Sequence, residues 1–236
     1  MKLITLAGPP SSGKTSVLLR IIEALSEAGK RTGVVKFDCM ATFDDRLYQE
    51  KGIPVLVGLS GNLCPDHYFV TNIASCLEWG SSIGADMLIT ESAGLCNRCS
   101  PYIRQVQSVC VIDHLSGLNT PAKIGPMLKL ADTVILTKGD IVSQAEREVF
   151  RYRVRKANPK AEIIPMNGLT GQGKERARDV FLTAPEVESL DGSKLRFSMP
   201  AAVCSYCLGE TRIGEDAQMG NVRKLWTPAE EGEAGG

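Results

Sequence analysis

The chain predicts an α/β fold: a doubly wound, mostly parallel sheet with helices on both faces and a phosphate-binding loop. Three observations predict it. Short apolar runs suited to buried strands alternate with stretches of helical length and periodicity from residue 2 to residue 182. The first strand–helix junction, Gly8-Pro9-Pro10-Ser11-Ser12-Gly13-Lys14-Thr15, matches G-x-x-x-x-G-K-[ST]. Further chemistry-bearing residues fall where strands end, and sheets of this kind bind ligands beyond the carboxyl ends of their strands.

The strands read as Lys2–Ala7, Gly33–Phe37, Pro54–Gly58, Asp86–Glu91, Ser108–Asp113, Asp132–Thr137 and Ala161–Pro165. Each is a short apolar run of the kind that a parallel sheet buries on both faces. The helices between them read as Lys14–Ala28, Asp44–Glu50, Asp66–Trp79, Pro121–Leu130, Ser143–Ala157 and Gln172–Leu182. In the first helix Val17, Leu18, Ile21, Ile22 and Leu25 share a face, and Gly29 supplies the stop. The alternation breaks near Glu186. It predicts a nucleotide-binding domain over residues 1–188, a cysteine-bearing extension over 189–226 and a small, acidic, disordered tail over 227–236.

Composition narrows the partners. Lys plus Arg and Asp plus Glu are both 27 in 236 residues, so the net charge is zero. That balance argues against broad binding to nucleic acid or anionic membrane. The chain opens directly into a strand, without a charged-then-apolar leader, and no apolar run approaches bilayer length. A cytoplasmic location is the expectation. In a reducing compartment the 8 cysteines are not expected to form a disulfide framework.

The loop Gly8 to Thr15, with Ser16 following, is expected to cradle phosphates with its backbone N–H groups at a helix start. Lys14 reaches the β and γ phosphates, and the Thr15 hydroxyl holds Mg²⁺. Asp86 to Thr90 leads into Glu91-Ser92-Ala93-Gly94, which places a carboxylate where it can order the Mg²⁺ shell or an attacking water. Gly94 gives a switch segment its freedom. Asp38, after the second strand, is a second candidate for the Mg²⁺ shell. Thr137-Lys138-Gly139-Asp140 ends another strand. The Asp140 carboxylate can accept from the ring N–H and the exocyclic amine of guanine, donors that adenine lacks there. Lys138 can pack on the base, and Asn167 opens a later loop where a second base contact is expected.

Cysteine and histidine form the other signal. Cys64 and His67 stand at a helix start, spaced to project from one face. Thiolate plus imidazole suits Ni²⁺ or Zn²⁺, and two ligands per subunit across a two-fold axis make a four-coordinate site. Cys96/Cys99 and Cys204/Cys207 are C-x-x-C pairs, which suit metal, an Fe–S cluster or a redox dithiol.

Taken together these residues resemble the nickel-insertion GTPases that mature hydrogenase and urease, within the SIMIBI class of P-loop proteins. The likeness rests on Gly8–Thr15, Asp38, the segment Gly61 to His67 and Glu91-Ser92-Ala93-Gly94-Leu95-Cys96, and it spans about residues 1–185. It departs in the two residues between Cys64 and His67, in Thr137 where Asn is commoner, and in the added thiols. The resemblance implies a GTP-dependent homodimer that holds a metal between subunits and releases it to a client metalloenzyme on hydrolysis. Two alternatives share the motifs: a nucleotide-driven redox activator carrying an Fe–S cluster, and a nucleotide-gated metal-sensing adaptor.

Overall fold

A computed structural model of the chain describes residues 1–40, 44–95, 99–197, 210–214, 217 and 225. Seven strands form one sheet: β1 (Lys2–Ala7), β2 (Thr32–Asp38), β3 (Val55–Leu59), β4 (Met87–Ser92), β5 (Gln107–Asp113), β6 (Thr133–Thr137) and β7 (Glu162–Pro165). All pairings are parallel and the order is β3-β2-β4-β1-β5-β6-β7. β1 is central, so its loop opens over the crevice where the connections diverge to the two sides of the sheet.

The helices are α1 (Lys14–Glu27), α2 (Asp44–Glu50), α3 (Pro65–Ser82), α4 (Thr120–Lys123), α5 (Pro126–Lys129), α6 (Gln144–Ala157) and α7 (Lys174–Thr183). The alternation of strand side chains divides the core. On one face Ile4, Leu6, Val34 and Ile89 pack with Val17, Leu18, Ile21 and Leu25 of α1 and Phe181 of α7. On the other, Leu3, Val35, Phe37 and Leu88 pack with Phe69, Val70 and Ile73 of α3. The Phe37 and Phe69 rings meet edge to face with centroids 5.2 Å apart. Among the described residues, no helix is long and apolar enough to cross a membrane.

The predicted helix Pro121–Leu130 is two short helices. Gly125 adopts φ +61° and precedes Pro126, whose ring disfavours helical backbone at the preceding residue. α7 begins two residues later than predicted, because Gly171 and Gly173 hold left-handed φ values of +81° and +89°. α6 starts on a capping box: the Glu146 N–H donates to Ser143 Oγ, and the Ser143 N–H donates to Glu146 Oε2.

After α7 the chain returns over the sheet. Val187 N–H donates to Met1 O at 2.8 Å. Leu195 is buried and pairs with Thr211 and with Ile103. The Arg196 guanidinium forks onto Asp132, with both N–O distances 2.7 Å, and also reaches the carbonyls of Ile103, Val106 and Leu130. Leu225 is buried against Gly58, and its N–H donates to Asn72 Oδ1.

Candidate functional site

The phosphate loop leaves β1 and enters α1 through Gly13, whose φ of +89° is open to glycine. Lys14 is folded over the loop, and its Nζ donates to the carbonyls of Gly8 and Pro9, each at 3.0 Å. Burial depresses its pKa, with Glu91 acting the other way. The segment after β4 is pressed onto the loop. A Cβ added at Gly94 would lie 1.7 Å from Gly8 O, and Gly94 has φ +68°.

A network of charges surrounds Thr15. Its hydroxyl lies 2.8 Å from Glu91 Oε1 and 3.0 Å from Asp44 Oδ2. Lys36 Nζ lies 2.8 Å from each of the same two oxygens. The sheet register sets this geometry, since Lys36 and Glu91 are partners across β2 and β4 on the α1 face. The Tyr48 hydroxyl donates to Glu91 Oε2 at 2.7 Å, and burial together with Glu91 holds that phenol well above its usual pKa. Burial alone would raise Asp44, but the hydrogen bond and charge of Lys36 hold it below the ordinary carboxylate value. Burial likewise opposes the Lys36 ammonium, yet Glu91 and Asp44 outweigh it and its pKa rises. A hydroxyl and two carboxylates are hard oxygen donors, the set that suits Mg²⁺.

The structure thus brings Lys14, Thr15 and Glu91 together and leaves Asp38 out. Asp38 Oδ1 accepts from the Cys39 N–H at 2.8 Å, and Asp44 of α2 occupies the place expected for Asp38. Sequence reasoning missed Lys36, Asp44 and Tyr48. The available signal was Lys36 itself, a cation within an otherwise apolar buried strand.

The segment that ends β6 meets the phosphate loop directly. Thr137 Oγ1 donates to Ser12 O and Lys138 Nζ to Ser11 O, both at 2.6 Å. Lys138 holds a left-handed φ of +56°. Asp140 is exposed beyond it. Asn167 Oδ1 accepts from the N–H groups of Leu169 and Thr170, which shapes its loop, and the next residue, Gly168, abuts Ser16.

On the opposite face lies a thiol cluster. Cys64 caps α3, and its sulfur, one carboxylate oxygen of Asp66 and the Cys99 sulfur all lie within 4.8 Å of one another. Cys99 Sγ donates to Asp66 Oδ2 at 3.0 Å, and Ser92 Oγ donates to Asp66 Oδ1 at 3.1 Å. A hydrogen bond from Cys99 pulls Cys64 down to about 7, while that bond and burial push Cys99 up. Burial raises Asp66. His67 is buried in the first turn of α3 but is not among the three converging donors, so Asp66 stands where His67 was expected. Cys96, Cys204 and Cys207 lie outside the described residues.

This cluster gives a direct prediction. Alkylation of Cys64 by iodoacetamide, followed by peptide mass mapping, is expected to rise with a midpoint near pH 7, against the ordinary thiol value of 9.0. Cys99→Ala removes the main cause and will move the midpoint up. A midpoint near 9 in the unsubstituted chain would contradict the thiolate assignment.

Comparison with known proteins gives the chain's family. A family model described as the CobW/HypB/UreG nucleotide-binding domain matches residues 2–165. The uncharacterized protein MJ0120 of Methanocaldococcus jannaschii is 46% identical over 95% of this chain and 96% of its own length. The urease accessory protein UreG of Natronomonas pharaonis is 33% identical over 63% of this chain and 78% of its own. The hydrogenase maturation factor HypB of Azotobacter vinelandii is 25% identical over 72% of this chain, which spans only 56% of that protein. Among solved structures, HypB from Helicobacter pylori in complex with nickel superposes with a TM-score of 0.62 at 19% identity, covering 80% of this chain and 91% of that one. That likeness bears on the fold, whereas the matched sequence, from β1 to the end of β7, carries the assignment. The chain belongs to the CobW/HypB/UreG family of nucleotide-binding domains.

Proposed function

We propose that the protein is a GTPase that couples its nucleotide state to delivery of a transition metal, nickel in the first instance, to a client enzyme. The observation that carries this reading is adjacency. Glu91, which bonds Thr15 in the phosphate loop, and Ser92, which bonds Asp66 of the thiol cluster, are consecutive residues of β4. Cys64, Asp66 and Cys99 are two sulfurs and one oxygen, a donor set suited to Ni²⁺ or Zn²⁺. Three donors leave a tetrahedral ion one short. A fourth from a second copy of the chain or from the client makes metal affinity depend on association, whereas one from within the chain does not. Cys96, Cys204, Cys207 and His67 are the further ligand candidates within the chain.

In this reading Lys14 and the loop amides hold the phosphates, and Glu91 orders the water or the Mg²⁺ shell. Asp140 selects guanine. Asp140→Asn keeps one acceptor oxygen but sets an NH₂ donor against the other guanine N–H, and is expected to lower GTP-over-ATP selectivity by roughly 100-fold in competition binding. Unchanged selectivity would remove Asp140 from base reading.

The test of the function is an anaerobic nickel and zinc titration of the chain, loaded with GDP or with a non-hydrolysable GTP analogue, with mass followed by light scattering. Tighter metal binding in a GTP-state dimer, lost in Cys64→Ala, is the expected result. Metal affinity indifferent to nucleotide would turn the thiols into a structural or redox site.

A further inference from the structure

The ammonium of Lys36 sits against the carboxylate oxygens that would hold Mg²⁺. Thr15, Asp44 and Glu91 supply the donors suited to that ion, and the Lys36 Nζ already lies 2.8 Å from both carboxylates. Lys36 is 3% exposed and Glu91 wholly buried, so each charge is shielded from bulk solvent and leans on the other. Only Asp44 of the three is substantially open to solvent, with 45% of its side chain exposed. Lys14, the other cation here, is engaged with the carbonyls of the loop.

From this arrangement we propose that Lys36 is a tethered counter-cation that occupies the Mg²⁺ carboxylates and sets a threshold for Mg²⁺ which the nucleotide's terminal phosphate lowers. A divalent ion and an ammonium cannot both sit against the same two carboxylate oxygens without strong repulsion. Mg²⁺, when bound, neutralises phosphate charge and orders the oxygens around it. The Lys36 ammonium then needs another anionic partner, and its four-carbon stem lets it turn to one. A triphosphate brings a γ-phosphoryl group as that partner, which a diphosphate lacks. Lys36 therefore acts as a specificity-determining residue. It makes Mg²⁺ binding easier with GTP than with GDP, and so makes the triphosphate state the Mg²⁺ state. The inference rests on the nucleotide site and on no part of the thiol chemistry, so it stands or falls apart from metal delivery.

The experiment is a Mg²⁺ titration of fluorescent GDP and of a fluorescent non-hydrolysable GTP analogue bound to the full chain, read by nucleotide fluorescence rather than by turnover. In the unsubstituted protein half-saturating Mg²⁺ is expected to be at least about tenfold higher with GDP than with the analogue. Lys36→Met should close that gap to about twofold, chiefly by lowering the Mg²⁺ requirement with GDP. Lys36→Arg keeps the charge and should keep the gap. Three results would overturn the proposal: equal Mg²⁺ requirements for the two nucleotides in the unsubstituted protein, an unchanged gap in Lys36→Met, or a gap lost in Lys36→Arg. The first needs no variant, so it can overturn the proposal even where Lys36→Met fails to fold.

Discussion

Gly94→Ala is expected to abolish nucleotide binding while leaving the sheet folded. Two independent features drive the effect. The backbone at Gly94 has φ +68°, a region that costs a residue with a Cβ about 1–2 kcal/mol. The added Cβ would also lie 1.7 Å from the carbonyl oxygen of Gly8, and that neighbour is backbone, unable to rotate away. Either the segment after β4 lifts or the phosphate loop deforms, and Lys14 loses the Gly8 carbonyl that places it. Fluorescent GDP titration should show a loss of roughly 100-fold or more, since misplacing a preorganised anion site sacrifices most of its binding. Circular dichroism should retain the α/β signature, because Gly94 lies beyond the end of β4. Binding within a few-fold of the unsubstituted chain would mean that the contact relaxes without cost.

Glu91→Gln has the second-largest expected effect, and it acts on two properties together. Single-turnover GTP hydrolysis is expected to fall by roughly 100-fold, the scale for removing a group aimed at the reacting centre. Stability falls as well. Lys36, 3% exposed, is left with Asp44 as its carboxylate partner, and breaking a buried ion pair from one side costs about 3–5 kcal/mol. The diagnostic is the double variant Glu91→Gln with Lys36→Met. It removes both buried charges, while Asp44 remains partly solvated. Urea unfolding should show the double variant recovering most of the lost stability while hydrolysis stays low. A double variant no more stable than Glu91→Gln would show that the loss comes from packing or from Tyr48, whose hydroxyl bonds Glu91 Oε2.

These two residues differ in how far the sequence discloses them. Glu91 is legible because it closes an apolar strand after a phosphate-loop motif, and in this fold strand ends are where ligands meet the chain. Gly94 is legible as a glycine but not as a contact, since its neighbour Gly8 is remote in sequence. The sheet was readable because its strands are largely apolar runs, while Gly and Pro chemistry split the helix expected over Pro121–Leu130 and delayed the start of α7. The choice between Asp38 and Asp44 was not readable. Asp38 closes β2 and Asp44 opens α2, and in the structure Asp38 spends its carboxylate on the next N–H while Asp44 meets Thr15. The sequence pairs Cys64 with His67 and passes over Asp66 for a definable reason. Residues three apart share a face only when both are helical, and Cys64 is the cap, with extended φ and ψ of −62° and 127°. From the cap position the sulfur meets Asp66 in the first turn instead. Lys36 was overlooked because charge in a strand reads as a solvated face, whereas register sets this one against Glu91.

The end of β4 has a geometric consequence of its own. Successive strand residues point to opposite sides of a sheet and are about 3.3 Å apart along it. Glu91 therefore faces α1 and the phosphate loop, and Ser92 faces α3 and the thiols, back to back through one thickness of sheet. The two centres are welded to a single peptide unit and inherit one registration. Insertion or deletion of one residue ahead of Glu91 would exchange the two faces, turning hydroxyl toward phosphate and carboxylate toward sulfur. Neither centre can be re-spaced without the other, so a lineage carrying both can tune their side chains but not the distance between them.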